Sequence, residues 1–262
     1  MFHIFIFLFG LSVGSFLNVV ICRLETKEPI ISGRSHCPKC RTVLKWFDLI
    51  PLASFLIQKG KCRYCGKKIS WQYPAVETTT GLLFLLIFNF QFSIFKQFSI
   101  FNFQTIYYLI IVSFLIIIFV YDLKHYLIPD KIVYPAIIIA GIFNFQFSIF
   151  NQFSIFKFSI LSALGASLFF LSLVLISKGK WMGLGDVKLA GLMGLVLGWP
   201  NILFGLFLAF LSGALVGIGL IIVGKKTIKS QIPFGPFLAG STILIIIFGQ
   251  YLTNWYQGIL FF

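Results

Sequence analysis

Two aspartates are the residues of this chain whose type and setting best suit catalysis. Asp122 ends the apolar stretch 119–122 (FVYD), and Asp186 lies in the Gly-rich stretch 182–188 (MGLGDVK) between two strongly apolar segments. The chain has only seven acidic residues, and a carboxylate beside membrane-like segments is costly enough to need a reason. Two carboxylates at one depth can hydrolyse a peptide, because the ionised member activates water while the protonated member polarises the carbonyl.

Each aspartate also has a structural interpretation. Asp122 is expected at the C-terminal end of its helix, where an acid opposes the helix dipole, and this favours a functional role. Asp186 could instead be the N-cap of the following apolar helix. Its neighbours Gly183 and Gly185 allow another backbone to approach closely, which favours a site. Asp130, just before a further apolar run, is expected to be an N-cap.

Four cysteines form two CxxC pairs, Cys37 with Cys40 and Cys62 with Cys65. Each CxxC turn presents two sulfurs to one ion, so the four predict a closed, structural zinc site. Two disulfides, a redox-active CxxC and an iron–sulfur cluster are alternatives. They fit less well, given a reducing compartment, no βαβ context and no ferredoxin-type spacing. Cys22 is expected to be a small buried residue rather than a ligand.

The composition indicates a membrane protein. Of the 262 residues, 59% are hydrophobic and 11% are charged, and the mean hydropathy is +0.99. Such a chain must place most of its length in a lipid bilayer. The net charge of +14 does not indicate nucleic-acid binding, because the basic residues lie in short segments between apolar runs instead of on one face of a soluble domain.

Eight apolar runs are candidates for membrane-spanning helices. They cover residues 2–21, 75–92, 105–121, 132–150, 158–177, 187–200, 202–223 and 236–252. The run 187–200 is short and Gly-rich, and we expect it to be packed inside the bundle. Residues 1–21 lack a basic start and a cleavage site, so they predict a retained helix. The predicted fold is an all-α polytopic membrane protein with about eight transmembrane helices.

Charge predicts the orientation and the domains. With eight spans, the segments 23–74, 122–131, 178–188 and 224–231 share one side and carry 19 of the 21 Lys and Arg residues. The positive-inside rule makes that side cytoplasmic, together with Asp122 and Asp186. We therefore predict a first transmembrane helix (1–22), a cytoplasmic zinc-binding domain (23–74) whose folding depends on metal, and a transmembrane domain (75–262) that carries both aspartates and is the candidate hydrolase domain.

Two nearly identical Phe-rich tracts, residues 89–102 and 144–157, interrupt this pattern. Each contains two copies of the hexad QFSIF[K/N], and both are expected on the outer side at helix ends. We interpret them as a duplicated low-complexity tract with phenylalanines in the membrane interface. A Phe-rich docking surface is the alternative.

Taken together, the motifs resemble those of the bacterial type IV prepilin peptidases, intramembrane aspartyl proteases of the GxGD class. The stretches that carry the resemblance are GSFLNVV (14–20), the cysteine block 37–65 with DLIP (48–51), IS (69–70), YP (73–74), Glu77, DL (122–123), IPD (128–130), MGLGDVKL (182–189) and IPFGP (232–236). They run through nearly the whole chain in the order typical of the family.

This resemblance implies that Asp122 and Asp186 are the catalytic pair. It implies a prepilin or pseudopilin substrate, cleaved after a glycine at the cytoplasmic face of the bacterial inner membrane. It also implies N-methylation of the new terminal residue with S-adenosylmethionine, a cofactor for which the sequence shows no binding fingerprint. Small residues of a late span, Gly213, Ala214, Gly217 and Gly219, could let a substrate helix approach.

Two hypotheses from other classes remain. A proton-coupled transporter with a zinc-binding regulatory domain would use intramembrane aspartates, although such sites usually lie near the membrane midplane. A non-catalytic, zinc-stapled assembly protein of a secretion system would tolerate isosteric Asp→Asn changes. The peptidase hypothesis predicts that the same changes abolish cleavage while folding and zinc binding are retained.

Overall fold

The structure, a computed structural model, describes residues 2–26, 28–30, 33–95, 103–151, 153–224, 227 and 230–260. These ranges contain nine α-helices and a 3-10 helix over Trp46–Asp48. The α-helices are α1 (Phe2–Thr26), α2 (Ala53–Ile57), α3 (Gln72–Phe95), α4 (Phe103–His125), α5 (Asp130–Asn151), α6 (Phe153–Ser177), α7 (Leu184–Leu197), α8 (Asn201–Ile222) and α9 (Gly235–Leu260).

The predicted all-α polytopic fold is confirmed. Every predicted apolar run forms a helix, and within the described ranges β pairing is limited to two isolated bridges. Six helices are long and apolar enough to cross a membrane by their described residues alone, namely α1, α3, α4, α6, α8 and α9. The short α2 and the 3-10 helix lie between α1 and α3, in the segment that carries the cysteines.

The chain divides into two compact units, residues 1–117 and 118–262. In the first unit α1 packs against α3. A Cβ added to Gly10 would lie 2.8 Å from the Cα of Gly81, and one added to Gly14 would lie 2.7 Å from the Cα of Glu77. Glycines four residues apart thus let the two backbones touch, as small-residue interfaces do in membranes.

In the second unit α7 is the central helix, since it packs against α5, α6, α8 and α9. Its residues Leu189, Leu192 and Met193 are fully buried. Gly194 faces Ala163 of α6 so closely that a side chain there would collide with backbone. The helix has only 14 residues, too few to cross about 30 Å of hydrocarbon. The expectation that this short run is packed inside the bundle is confirmed.

The Phe-rich tracts fall at helix ends, as expected from their positions. The first runs into the end of α3 and the second covers the end of α5 and the start of α6, while residues 96–102 and 152 lie outside the described part. Asn144, which opens the second tract, donates a hydrogen bond of 2.8 Å from Nδ2 to the carbonyl oxygen of Leu195 in the last turn of α7. That bond supports a structural role for this end of the tract.

Candidate active site and metal centre

Asp122 lies in the last turn of α4, as the apolar run predicts. Only 4% of the residue is exposed. Its carboxylate lies against the backbone of Gly235, the first residue of α9. A Cβ added to Gly235 would lie 2.5 Å from Asp122 Oδ2, so only glycine leaves room for the carboxylate at this position.

Asp186 lies in the first turn of α7 and is 9% exposed. The N-cap of α7 is Gly183, so Asp186 is the third residue of the helix and not its cap. Its Oδ2 accepts a hydrogen bond of 3.1 Å from the Gly183 N–H, as the acid of a capping box does. The N-cap interpretation is therefore correct in kind, since the carboxylate stabilises the helix start, but wrong in position.

The loop between α4 and α5 brings the two aspartates to one end of the second unit. Its residue Ile128 touches both flanking glycines, because a Cβ on Gly185 would lie 3.0 Å from Ile128 Cβ and a Cβ on Gly235 would lie 3.2 Å from Ile128 Cδ1. The charges of Asp122 and Asp186 are close enough to interact. Within the described ranges neither carboxylate pairs with a basic side chain.

Asp130 does not belong to this pair. It is the first residue of α5, and the carbonyl of Pro129 already accepts the first helical bonds, so the expected N-cap role is wrong by one position. Its Oδ1 instead accepts a hydrogen bond of 2.7 Å from Lys188 Nζ, and 59% of its side chain is exposed. An exposed ion pair is a structural feature of small energetic weight.

The four cysteines come together in the first unit. The sulfur atoms of Cys37, Cys40, Cys62 and Cys65 all lie within 4.8 Å of one another. Four thiolates about 2.3 Å from a zinc ion are separated by about 3.8 Å, so the cluster is compatible with a tetrahedral site. Cys22 stands apart, with its Sγ 3.1 Å from the hydroxyl of Tyr73. The cluster could hold a metal with all positions filled by protein.

Both cysteine pairs sit in the same local fold. In the first, the Cys37 N–H donates to the Thr42 carbonyl (3.0 Å) and the Arg41 N–H donates to the Cys37 carbonyl (2.8 Å). The second repeats both bonds with Cys62, Lys67 and Gly66. Gly66 has φ +66, and the equivalent Arg41 has φ +56, so the turn requires a left-handed residue.

Local hydrogen bonds also favour the thiolate form of Cys40. Hydrogen bonds from the side chain and the backbone of Thr42 lower the pKa of Cys40 to about 6. A thiolate, not a thiol, is the form that binds metal. A hydrogen bond from the Lys67 backbone lowers the pKa of Cys65, but burial and hydrogen bonds with the other three cysteines outweigh it and raise that pKa to about 11. The local bonds therefore favour the thiolate at Cys40 but not at Cys65.

The loop between the cysteine pairs is organised by Asp48, a residue to which sequence analysis assigned no role. Its side chain is 3% exposed and lies 3.3 Å from Arg63 Nε. The carboxylate accepts further hydrogen bonds from the Lys45 N–H, Gln58 Nε2 and the Tyr64 hydroxyl. The only sequence signal for this residue is its place in the DLIP stretch that carried the family resemblance.

Two cavities accompany these clusters. One, of about 610 Å³, is almost wholly apolar and runs between α6 and α8, with Phe169 and Phe210 among its walls. The other, of about 270 Å³, lies in the first unit beside Ser12, Ser15 and Ser35. It is smaller than the roughly 300–1,000 Å³ usual for a bound small molecule. Its lining consists of serines and apolar side chains, and no residue is assigned to S-adenosylmethionine.

Comparisons with known proteins identify the family. Residues 8–90 match the family described as Bacterial Peptidase A24 N-terminal domain, and residues 109–218 match the Type IV leader peptidase family. A protein of Bacillus subtilis named prepilin leader peptidase/N-methyltransferase is 34% identical over 96% of this chain and 96% of its own. Relatives of the same name from Myxococcus xanthus and Legionella pneumophila are 35% and 33% identical over 88% and 96% of the chain, and over 68% and 93% of their own lengths.

The chain belongs to the type IV leader peptidase family. The suspected resemblance is thereby confirmed, and neither the family match nor the relatives' names support the transporter hypothesis. No solved structure shows significant similarity to the chain. In this family member, Gly235 lies against Asp122 and Ile128 lies against Gly185 and Gly235, although sequence analysis used these residues only as parts of motifs.

Two of the four small residues expected to receive a substrate helix have partners within the chain. A Cβ on Gly213 of α8 would meet Phe234 and Phe237 at 3.4–3.5 Å, and one on Gly217 would meet Ile232 at 3.6 Å. The start of α9 and the segment before it therefore cover Gly213 and Gly217, whereas Ala214 is exposed. Gly219 remains open.

Proposed function

We propose that this protein is a prepilin leader peptidase and N-methyltransferase that cleaves with Asp122 and Asp186. The single observation that carries the proposal is the burial of both aspartates at one end of the second unit, where Gly185, Gly235 and Ile128 hold them together. Buried carboxylates can also be explained by a metal site or by an ion pair. Neither is found around them among the described residues.

Hydrolysis follows from the chemistry of two neighbouring carboxyl groups. Two negative charges side by side are unfavourable, so the pair shares a proton. The ionised carboxylate takes a proton from water as the water oxygen bonds to the peptide carbonyl carbon, and the protonated carboxyl group donates a hydrogen bond to the carbonyl oxygen. Collapse of this intermediate breaks the C–N bond, and the departing amine receives the proton.

The Asp186 position favours the role of a fixed, ionised partner. Its Oδ2 accepts the Gly183 N–H at the N-terminus of α7, where the helix dipole stabilises negative charge. Asp122, in the last turn of α4, lies at the end of a helix where the dipole disfavours negative charge. We therefore assign the water-activating role to Asp186 and the proton-donating role to Asp122.

The apolar cavity provides room for the membrane-embedded part of the substrate. Phe210 of its wall packs against Phe234 with ring centroids 5.1 Å apart, and Phe234 precedes Gly235, which touches Asp122. The cavity is thus connected to the aspartates by consecutive contacts. Gly165 opens its wall, since a Cβ there would meet nothing within 4 Å. We propose that the apolar segment of a prepilin lies in this cavity.

The remaining parts of the proposal concern metal, methyl transfer and location. The four cysteines would hold a structural zinc ion that stabilises the fold of the segment 23–74. Methylation of the new N-terminus with S-adenosylmethionine is proposed from the relatives' names, and no residue is assigned to it. The basic segments support an inner-membrane location with a cytoplasmic active face.

Intact-mass analysis of a co-expressed prepilin tests the proposal. Cells carry the wild-type enzyme, the Asp186→Asn variant or the Asp130→Asn control. We expect loss of the leader with the wild type and the control only, and an added methyl mass on the same product. Cleavage by Asp186→Asn at the wild-type rate would remove this residue from the chemistry, and an uncleaved prepilin with every enzyme would overturn the peptidase assignment.

A further inference from the structure

A strongly apolar segment lies exposed between the two cysteine pairs, outside every candidate membrane span. It comprises residues 46–57 (WFDLIPLASFLI), here called the inter-pair segment. Trp46, Leu56 and Ile57 are 76%, 71% and 74% exposed. Leu49 and Ile50 are also exposed, whereas the flanking sequences are rich in Lys and Arg. A loop surrounded by water does not ordinarily present such a contiguous apolar surface.

The segment is attached to α1 and α3 well inside the ends of these spans. Leu49 and Pro51 line a cavity with Ser12 and Ser15, which flank the middle of α1. Ser15 lies about 16 Å along the helix from its end at Thr26. The inter-pair segment therefore descends beside α1 to the level of membrane-spanning residues.

A hydrogen bond from the backbone of the inter-pair segment fixes this segment to α3. The Leu52 N–H donates to Glu77 Oε2 at 2.9 Å, and Glu77 is a buried residue of α3. Leu52 has φ +58, a conformation that a leucine adopts only under constraint. The Gly14 backbone packs against the same Glu77, so α1, α3 and the inter-pair segment meet at one point.

The only charge of the segment is turned inward. The Asp48 side chain is nearly buried and is neutralised by Arg63, which belongs to the second cysteine pair. Its other partners, Lys45, Gln58 and Tyr64, lie in or beside the same loop. The inter-pair segment thus buries its carboxylate and exposes its tryptophan and aliphatic side chains. A loop in water has the opposite arrangement, whereas a segment in the membrane interface has this one.

Aromatic side chains border the exposed patch. Trp71, just before α3, is 77% exposed, and its ring lies 5.2 Å from that of Phe55 in the inter-pair segment. Tryptophan is enriched where membrane headgroups meet hydrocarbon. Trp46 and Trp71 therefore mark both flanks of the patch with the residue type expected at that depth.

We propose that the inter-pair segment is inserted into the interface of the bilayer, with Trp46, Leu56 and Ile57 in contact with lipid. The basic residues of the cysteine pairs then lie at the level of the headgroups, where anionic lipids attract them. The zinc-binding part of the chain is accordingly a membrane-surface module anchored by α1, α3 and this third element. This conclusion does not depend on the peptidase assignment.

The test uses the full chain in bilayers of phosphatidylcholine and phosphatidylglycerol, with or without bromine on the acyl chains. A fluorescent amino acid replaces Leu56, or replaces Lys68 as the matched exposed control on the second cysteine pair. Retention of bound zinc shows that each variant is folded. We expect brominated lipid to quench the label at position 56 several-fold more than at 68, and aqueous iodide to show the opposite order.

Two results would overturn the proposal. Quenching at position 56 by iodide as strong as at position 68 would place the segment in water. Protection of position 56 from both quenchers would mean that protein, either a second copy or another part of the chain, covers it. A second measurement uses the native tryptophan fluorescence of the unlabelled protein. The part of the quenching that is lost in Trp46→Phe reports whether Trp46 itself is in contact with lipid.

Discussion

The cysteine cluster and the aspartate pair are assembled by different means. Each cysteine pair is set by hydrogen bonds within its own turn, and only the meeting of two turns is tertiary. Asp122 and Asp186 lie on separate helices, and the contacts of Ile128 with Gly185 and Gly235 join the two helix ends. A local motif tolerates changes elsewhere in the chain, whereas a tertiary pair depends on the packing of several helices. The two regions should therefore respond separately to mutation.

The largest effect is expected from the aspartates. Asp122→Asn and Asp186→Asn should each lower the cleavage rate by about 100- to 10,000-fold, because each removes a group that exchanges a proton in the reaction. The zinc content should stay at the wild-type level, since the cysteines belong to the other unit. Rates of leader loss and metal analysis on the same preparations test both statements. A variant that cleaves as fast as the wild type would show that the substituted aspartate is not part of a catalytic pair.

The cysteines should show the opposite pattern in metal content. Cys37→Ser and Cys62→Ser should reduce bound zinc to well below one equivalent and expose residues 33–74 to proteolysis, because metal binding supplies much of the folding free energy of so small a region. Cys22→Ser, the matched control outside the cluster, should keep its zinc. Wild-type zinc content and protease resistance in Cys62→Ser would contradict the structural zinc site.

The packing between helices can be tested at a single methyl group. Gly235→Ala should lower kcat by about 100-fold, because its Cβ would displace the Asp122 carboxylate by an ångström or so. Gly141→Ala is the control, since a Cβ at Gly141 meets nothing within 4 Å. Steady-state kinetics on the two variants separate the effects. Equal kcat values would mean that the carboxylate position is not set by α9.

Filling the apolar cavity should change binding more than chemistry. Gly165→Phe should raise KM for a full-length prepilin by about tenfold, the equivalent of 1.4 kcal/mol, with kcat nearly unchanged. Gly141→Phe, which also enters open space but outside the cavity lining, should behave as the wild type. The KM ratio of the two variants is the readout. A ratio near one would exclude the cavity as the place of the substrate's apolar segment.

The smallest effect is expected at Asp130. Asp130→Asn should leave cleavage within about twofold and should lower stability by less than about 1 kcal/mol, because its partner Lys188 forms an exposed ion pair. Thermal unfolding and the cleavage rate together check this. Loss of cleavage with stability retained would transfer the catalytic role from one of the buried aspartates to Asp130.

Much of the fold could be predicted from the sequence because its signals are local. Apolar runs must form helices in a bilayer, where each backbone group needs a partner within the same segment, and all eight runs do so. The shortness of the run 187–200 also correctly indicated a packed helix, now α7. The predicted helix starts were less accurate, because the N-cap of α7 is Gly183 and not Asp186, and because α5 begins at Asp130 instead of after it.

What only the tertiary structure decided is how distant groups meet. Nothing in the pattern of residues shows that Asp48 collects four donors, that Leu52 reaches Glu77, or that Ile128 lies between Gly185 and Gly235. These contacts depend on side-chain volume and on helix packing, which hydrophobic periodicity does not encode. The sequence by itself determined the helices, the two cysteine turns and the candidate aspartates, since each follows from neighbouring residues. The environment that makes the aspartates a pair arises only when the helices pack.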